Sequence, residues 1–303
     1  MDPLITTILA HEGGCADRST LLRHVSWHRL RASVREGQVA RVRRDRYALP
    51  GLAAAEAGAL AVGGVVSHRS AALRHRLPIL SEPRRPEITV PRSRRVGRAR
   101  GLDLRYRDLH PADIQDDLVT SAVRTVVDCA RDLPLPEALA VADSALRTGL
   151  VSAPELVEAI PSLPRTGRRA AEAVLRHASG EAANPFESAL RAIALGSVGA
   201  LFVPQLEVVT REGVTLHPDL GCEELRIALE ADSFAFHGGR KALAADCWRY
   251  NELAVAGWLV LRFAWEHVMH QGGWVASVIE WAVALRRGHP PPVALVRDTH
   301  PAA

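Results

Sequence analysis

Carboxylates mark the segment 217–232, whose pattern predicts a short strand, a turn and a longer strand. Side chains alternate between the two faces of a strand, so Glu230 and Asp232 are expected to project together. Antiparallel pairing of the short strand with the longer one would bring Asp219 beside them. Two or three carboxylates that converge on a largely apolar sheet repel each other strongly without a cation.

The type of ligand atom indicates which cation would bind. Hard oxygen ligands, without sulfur or clustered imidazole, favour Mg²⁺ or Mn²⁺, so Asp219 and Glu230 are predicted metal ligands. Such an ion can activate water and stabilise the leaving oxygen in phosphodiester hydrolysis. The alternative is an ordinary hairpin with surface charges, in which Asp232 is a strand-end carboxylate bound by a turn.

The elements that must position these carboxylates follow one another in the last third of the chain. Asn184 suits an N-cap and Pro185 the first helical position, which places Glu187 where it can cap its own helix. Gly257 is predicted to end a later helix. The predicted order is a helix from 184, a strand at 203–210, the strands of 217–232, a helix at 246–256, a strand at 258–263 and a helix at 274–286.

This arrangement resembles the PD-(D/E)XK nuclease fold, and more closely the very-short-patch repair endonucleases and their uncharacterised bacterial relatives. The likeness covers about residues 180–270. It depends on four phrases, which are Pro218-Asp219, Glu230-Ala231-Asp232, Phe236-His237-Gly238, and the series Asp246, Arg249, Asn251, Leu253, Gly257, Trp258, Val260, Leu261 and Arg262. The resemblance implies a restriction-endonuclease-like mixed sheet flanked by helices.

The resemblance also implies a role for each matching residue. Asp219 would be the central metal ligand, Glu230 a second ligand, Glu187 the helix acid near the metal, and His237 a group that assists proton transfer. The sequence departs from the family at Asp232, which stands where the motif has a lysine that orients and deprotonates the attacking water. Asp232 would then bind a second metal or act as a base. Otherwise His237 or Arg249 takes over part of the lysine's role, or the site is not an efficient nuclease.

Arginines mark two elements near the N-terminus. Helices are predicted at 5–11, from 17 onward and at 26–37, followed by a basic hairpin at 38–50. This order resembles a winged helix-turn-helix, in which the third helix enters the major groove and the hairpin contacts phosphates. The alternative is a small helical domain with solvated arginines. The predicted DNA contacts are Arg29, Arg31, Arg35, Arg41, Arg43, Arg44, Arg46 and, near the C-terminus, Arg249.

The middle of the chain resembles the AbiEi-like antitoxins of type IV toxin–antitoxin systems, a likeness that covers about residues 1–150. It depends on the winged-helix pattern and on phrases at 65–72, 87–92 and 120–128. By that resemblance this part binds DNA and carries no chemistry. Adjacent Ser67 and His68 are not expected to form a catalytic pair. Arg124 and Asp128 are expected to form a surface ion pair on an amphipathic helix at 121–132.

Charge is unevenly distributed along the 303 residues. Residues 1–100 carry a net +11 and residues 101–303 a net −7, and Lys241 is the only lysine. A basic third beside an acidic remainder suggests one module that contacts phosphate and another with a different task. The four cysteines lack metal-ligand spacing. No secretory pattern and no membrane-spanning run are evident, so a cytoplasmic protein without a membrane partner is expected.

These observations predict a multidomain α/β protein of the mixed α+β kind. The predicted parts are a winged helix at 1–52, a mixed α/β middle domain at 53–160, a linker and helix at 161–180, an endonuclease-like domain at 181–290 and a tail at 291–303. The expected function is DNA binding combined with metal-dependent cleavage of DNA. The alternative is a non-catalytic transcriptional repressor or antitoxin, with double-stranded DNA and a cognate toxin as partners. A homodimer is compatible with both functions.

Overall fold

The structure, a computed structural model, describes residues 3–12, 15–42, 45–97, 99, 101–197, 199–232 and 240–289. Helices combine with mixed and antiparallel sheets, which confirms the predicted multidomain α/β class. The chain divides into two compact units: Met1–Leu133 with Thr148–Arg176, and Pro134–Arg147 with His177–Ala303. The finer division into five segments stays a prediction.

The first unit begins with short helices and a three-stranded antiparallel sheet, in the order β1-β3-β2. Ser26 caps the third helix by accepting a hydrogen bond from the Arg29 N–H, and Gly37, at φ 70°, follows its end. Leu21, Leu30 and Tyr47 are buried in the core of this part. Its elements are α1 (Pro3–His11), β1 (Cys15–Asp17), α2 (Arg18–Leu22), α3 (Trp27–Arg35), β2 (Ala40–Arg41) and β3 (Arg46–Ala48).

A five-stranded mixed sheet, in the order β6-β5-β4-β8-β7, forms the rest of the first unit. One face of the sheet packs Ile88 and Val90 against Ala59 and Val62 of a helix. The elements are α4 (Pro50–Val62), β4 (Val65–Val66), α5 (His68–Arg74), β5 (Glu87–Val90), β6 (Asp103–Tyr106), β7 (Ile114–Gln115), β8 (Val119–Thr120) and α6 (Ala122–Asp132). Next along the chain, α7 (Leu135–Arg147) belongs to the second unit, while α8 (Ala153–Ala159) and nearly all of α9 (Arg168–His177) belong to the first.

The second unit contains a four-stranded mixed sheet in the order β14-β13-β12-β9. Strand β12 is antiparallel to β13, and β14 is parallel to β13 after a helical crossover. Leu220, Leu229 and Phe263 are buried in this sheet. The elements are α10 (Pro185–Ala194), β9 (Val203–Pro204), β10 (Val208–Val209), β11 (Thr215–Leu216), β12 (Leu220–Cys222), β13 (Ile227–Asp232), α11 (Arg240–Val255), β14 (Leu259–Ala264), α12 (Trp265–His270) and α13 (Gly272–Arg286).

The prediction of one continuous strand at 203–210 was wrong. Gln205 lies in the left-handed region at φ 51°, which breaks the segment into β9 and β10. Strand β9 joins the large sheet, whereas β10 pairs with β11 in a separate hairpin. Gly221 of β12 leaves room for the Leu206 side chain, because a Cβ atom at position 221 would lie 2.5 Å from it.

Candidate functional site

The pairing of β12 with β13 brings Asp219 next to Glu230. Leu220 is the partner of Leu229, so Asp219 stands one residue before the paired part of β12. Its Oδ2 accepts a hydrogen bond from the Ala231 N–H at 2.8 Å. The structure therefore brings together the two residues that the sequence predicts as metal ligands.

Burial makes these two carboxylates costly to ionise. Glu230 is only 2% exposed, and burial, followed by the charge of Asp219, raises its pKa to about 8. Burial also raises the pKa of Asp219, although the hydrogen bond from Ala231 and the charge of Arg249 oppose the shift. Near neutral pH the pair therefore tends to retain a proton.

Glu187 acts as a cap and also lies within the electrostatic influence of the site. At the start of α10, Asn184 Oδ1 accepts from the Glu187 N–H, and Asn184 Nδ2 donates to Glu187 Oε1 at 2.7 Å. Glu187 Oε2 accepts from the Ala183 N–H at 2.8 Å and lies 3.4 Å from Gln205 Nε2. Burial and then the charge of Asp219 raise the Glu187 pKa to about 7. The hydrogen bonds confirm the capping role, and the role as the helix acid near the metal stays a prediction.

Arg249 supplies positive charge to the same site. From α11, its Nη2 lies 3.2 Å from Glu230 Oε1 and also donates to the His217 carbonyl. Its charge lowers the pKa of Glu230 and Asp219 against the effect of burial. The sequence predicts Arg249 as a DNA contact, and the structure places it against the carboxylates.

Asp232 projects to a different set of partners. Its Oδ2 accepts from Arg262 Nε of β14 at 2.6 Å, and its Oδ1 accepts from the Tyr250 hydroxyl at 3.2 Å. The Arg262 guanidinium lies over the Tyr250 ring, 4.0 Å from the ring centroid. No role was predicted for Arg262 or Tyr250 from the sequence. The sequence feature that could have indicated a role for Arg262 is its charge, since the rest of the segment 258–263 is apolar.

The residues fit a small hard cation in part. Glu230 Oε1 is buried and accepts no hydrogen bond, so its one partner in the described ranges is the ion-pair contact with Arg249. Across those same ranges, no three His, Cys, Asp or Glu side chains are grouped closely enough to bind one metal ion. Two carboxylates, with water or phosphate oxygens completing the shell, match the way Mg²⁺ is commonly bound.

The predicted DNA contacts of the first unit differ in their surroundings. Arg29, Arg31 and Arg35 of α3 and Arg41 of β2 are exposed. Arg46 is mostly buried and lies 3.8 Å from Asp116, so its placement as a free phosphate contact is not supported. The predicted site residues His237, Arg43 and Arg44 lie outside the described residues.

Ser67 and His68 form a hydrogen-bonded chain with a third residue, Asp132, which the sequence did not indicate. His68 Nδ1 lies 2.9 Å from Ser67 Oγ, and His68 Nε2 lies 2.8 Å from Asp132 Oδ2. His68 itself lies in the left-handed region, at φ 50°. Ser67 is 0% and His68 1% exposed, so the serine offers no surface to a substrate.

Arg124 and Asp128 form the predicted ion pair. The prediction that this pair lies on the surface was wrong, since Asp128 is 0% exposed. Asp128 accepts from Arg124 Nε at 2.9 Å and from Arg107 Nη1 at 2.8 Å, while Arg131 lies 3.6 Å away. Arg107 also binds Asp132. Burial opposes ionisation of Asp132, but hydrogen bonds from His68 and Arg107 outweigh it and lower the Asp132 pKa. This network joins α6 to Arg107, the residue that follows β6.

Comparison with known proteins finds similar proteins, but none of them has a named activity. No protein-family profile matches the chain. It is 29% identical over 167 residues to the uncharacterized proteins MT2308 and Rv2248 from two strains of Mycobacterium tuberculosis, over 54% of this chain and 60% of each relative. The alignment thus spans less than two thirds of these relatives' length. A crystal structure of the RV2827C protein from the same species covers 69% of this chain and 88% of its own, at 12% identity and a TM-score of 0.31, too low to support an argument.

No membrane-spanning helix is present among the residues that the structure describes. None of those helices combines the necessary length with the necessary apolar character.

Proposed function

We propose that this chain is a cytoplasmic DNA-binding protein whose second unit hydrolyses phosphodiester bonds in DNA with Mg²⁺ or Mn²⁺. The main support is the burial of Asp219 and Glu230 side by side, each with a raised pKa. An apolar sheet that keeps two such acids together gains most when a divalent cation replaces their protons.

In this proposal Asp219 and Glu230 hold the ion, which when bound activates water and stabilises the leaving oxygen. Arg249 balances the charge of Glu230 and limits the repulsion between the acids. Glu187, with a pKa of about 7, can hold or release a proton near neutral pH at the start of α10. His237 keeps its predicted role in proton transfer.

The first unit supplies affinity for DNA in this proposal. Exposed Arg29, Arg31 and Arg35 lie on α3, the helix that enters the major groove in winged-helix proteins, and Arg41 is exposed on the adjoining β2. The net +11 of residues 1–100 favours attraction to phosphate. The acidic remainder then acts on DNA that the basic part holds.

A second candidate function is a non-catalytic repressor or antitoxin, with a cognate toxin as partner and a homodimer as the DNA-binding form. One observation favours it. The motif lysine is replaced by Asp232, which is already bound by Arg262 and Tyr250. Such a protein would bind DNA equally well in a chelator and would show no cleavage.

Nicking of supercoiled plasmid separates the two functions. Wild-type chain, Asp219→Asn and the control Asp103→Asn, an exposed acid of the first unit, are incubated with Mg²⁺, Mn²⁺ or EDTA. DNA binding in EDTA is measured in parallel by gel shift. Cleavage that requires metal and Asp219 supports the nuclease. Intact DNA binding, with equal background nicking by all three proteins, supports the repressor.

A further inference from the structure

Arg262 occupies a defined place beside the carboxylate pair. In the parallel pairing of β13 and β14, Glu230 is directly opposite Arg262. Opposite residues of adjacent strands project to the same face of a sheet, so the Arg262 guanidinium extends from the face that carries Glu230 and Asp232. Its side chain is 46% exposed, which leaves it accessible to a large ligand.

Two contacts fix the orientation of this guanidinium. Nε donates to Asp232 Oδ2 at 2.6 Å, and the guanidinium carbon lies 4.0 Å from the centroid of the Tyr250 ring. Tyr250 is itself held by its hydroxyl, which donates to Asp232 Oδ1 at 3.2 Å. A hydrogen bond in the plane and an aromatic ring below it together restrict a side chain that otherwise has many rotamers.

The terminal nitrogens of Arg262 are left available. In the part of the chain that the structure describes, Arg262 donates a hydrogen bond through Nε alone, and its Nη1 and Nη2 donate none. A planar guanidinium with both terminal nitrogens available suits the paired oxygens of a phosphate, which it can bind in a bidentate manner. A purely structural ion pair would be worth little at this exposure.

We propose that Arg262 binds a phosphate of the DNA substrate beside Asp219 and Glu230, and that Asp232 and Tyr250 are positioning residues that orient it. This inference rests on the proposed function, because it identifies part of the substrate-binding surface of the same site. It also assigns a role to Asp232 at the motif lysine position. Asp232 holds a cation from the neighbouring strand and is neither a metal ligand nor a base.

The test uses the full chain with three variants, Arg262→Gln, Asp232→Asn and the double variant. Arg211→Gln serves as the control, since Arg211 is an exposed arginine of the same unit that pairs with acids outside the site. Binding of a fluorescein-labelled DNA duplex is followed by anisotropy in EDTA over a range of salt concentrations. Mn²⁺ affinity is measured by calorimetry, and KM and kcat are measured where plasmid is nicked.

Arg262→Gln is expected to weaken duplex binding about tenfold and to reduce the slope of log affinity against log salt by about 0.9. Asp232→Asn is expected to raise KM more than it lowers kcat and to leave Mn²⁺ affinity unchanged. The double variant is expected to be no worse than Arg262→Gln, because Asp232 acts through Arg262. Arg211→Gln is expected to match wild type.

An unchanged salt slope in Arg262→Gln would overturn the phosphate contact. Loss of Mn²⁺ affinity in Asp232→Asn would overturn the positioning role and make Asp232 a ligand. Failure of the wild-type chain to nick plasmid contradicts only the nuclease, because the duplex-binding measurements need no cleavage. Failure of the Arg262 variants to change duplex binding, while wild type nicks plasmid, contradicts only this inference.

Discussion

Asp219 Oδ2 accepts a hydrogen bond from the Ala231 N–H, the residue that directly follows Glu230. This bond joins the end of β12 to the neighbouring strand and fixes the Asp219 carboxylate against the part of β13 that carries Glu230. Two acids that are predominantly buried thus share one short stretch of sheet, and the charge of Asp219 makes Glu230 harder to ionise.

Removing one acid of the pair should stabilise the protein when metal is absent. At about pH 9, above the Glu230 pKa of about 8, Asp219→Asn and Glu230→Gln each remove a buried charge that repels its neighbour, so the melting temperature in EDTA should rise. The expected gain is on the order of 1 kcal/mol, or about 2–4 °C. Differential scanning calorimetry gives the melting temperatures. Glu224→Gln is the control: Glu224 is an exposed acid of the same hairpin, so this variant should keep the melting temperature of wild type. A lower melting temperature in both site variants would contradict the repulsion.

Stability without metal should fall as pH rises from about 5 to about 8. The folded pKa values of Glu187 and Glu230, about 7 and about 8, exceed the ordinary value of 4.5, so the folded state binds more protons over this interval. His75 contributes the opposite slope, because burial lowers its pKa below the ordinary value of 6.5. The free energy of unfolding in urea is therefore measured as a function of pH for wild type and for the double variant Glu187→Gln/Glu230→Gln, and the two profiles are compared. Parallel pH profiles for the two proteins would refute the prediction.

Loss of single arginines from α3 should weaken DNA binding regardless of metal. Arg31→Ala and Arg35→Ala should each reduce the slope of log affinity against log salt by about 0.9, because each removes one phosphate contact. Arg176→Ala is the matched control, since Arg176 is an exposed arginine of α9 in the same unit. Anisotropy in EDTA checks the result. Equal losses in all three variants would indicate general electrostatic attraction instead of a docking helix.

Asp128→Asn should destabilise the first unit by about 3–5 kcal/mol. The substitution leaves Arg107 and Arg124 without their shared buried anion. Asp103→Asn removes a partly exposed partner of Arg105 and should cost less than about 1 kcal/mol. Urea unfolding of both variants gives the comparison. Similar losses for the two variants would show that the Asp128 network does not contribute as a buried ionic centre.

Local patterns in the sequence predicted the parts of the fold that depend on neighbouring residues. Asn184, Pro185 and Glu187 form the helix start that their order indicates, and Ser26 caps α3 as expected. Alternation along the strand of Glu230, together with antiparallel pairing, was enough to place Asp219 beside it. In each case the relevant contacts lie within a hairpin or the first turn of a helix.

Contacts between distant segments could not be predicted in the same way. The Asp132 partner of His68 is 64 residues away and depends on how α6 packs against α5. The Arg262 partner of Asp232 is 30 residues away, and only the register of a parallel strand after the α11 crossover places it there. Sequence spacing contains no direct information on such a register, so the role of Arg262 could not be inferred before the structure.

The carboxylate site is tested most directly by calorimetric titration of Mn²⁺ into the full chain at about pH 8, near the Glu230 pKa. Wild type and Glu224→Gln should bind the ion with release of protons, and Asp219→Asn should lose at least about 100-fold in affinity. Equal binding heats for wild type and Asp219→Asn, or no binding by wild type, would contradict the assignment of Asp219 and Glu230 as a metal site.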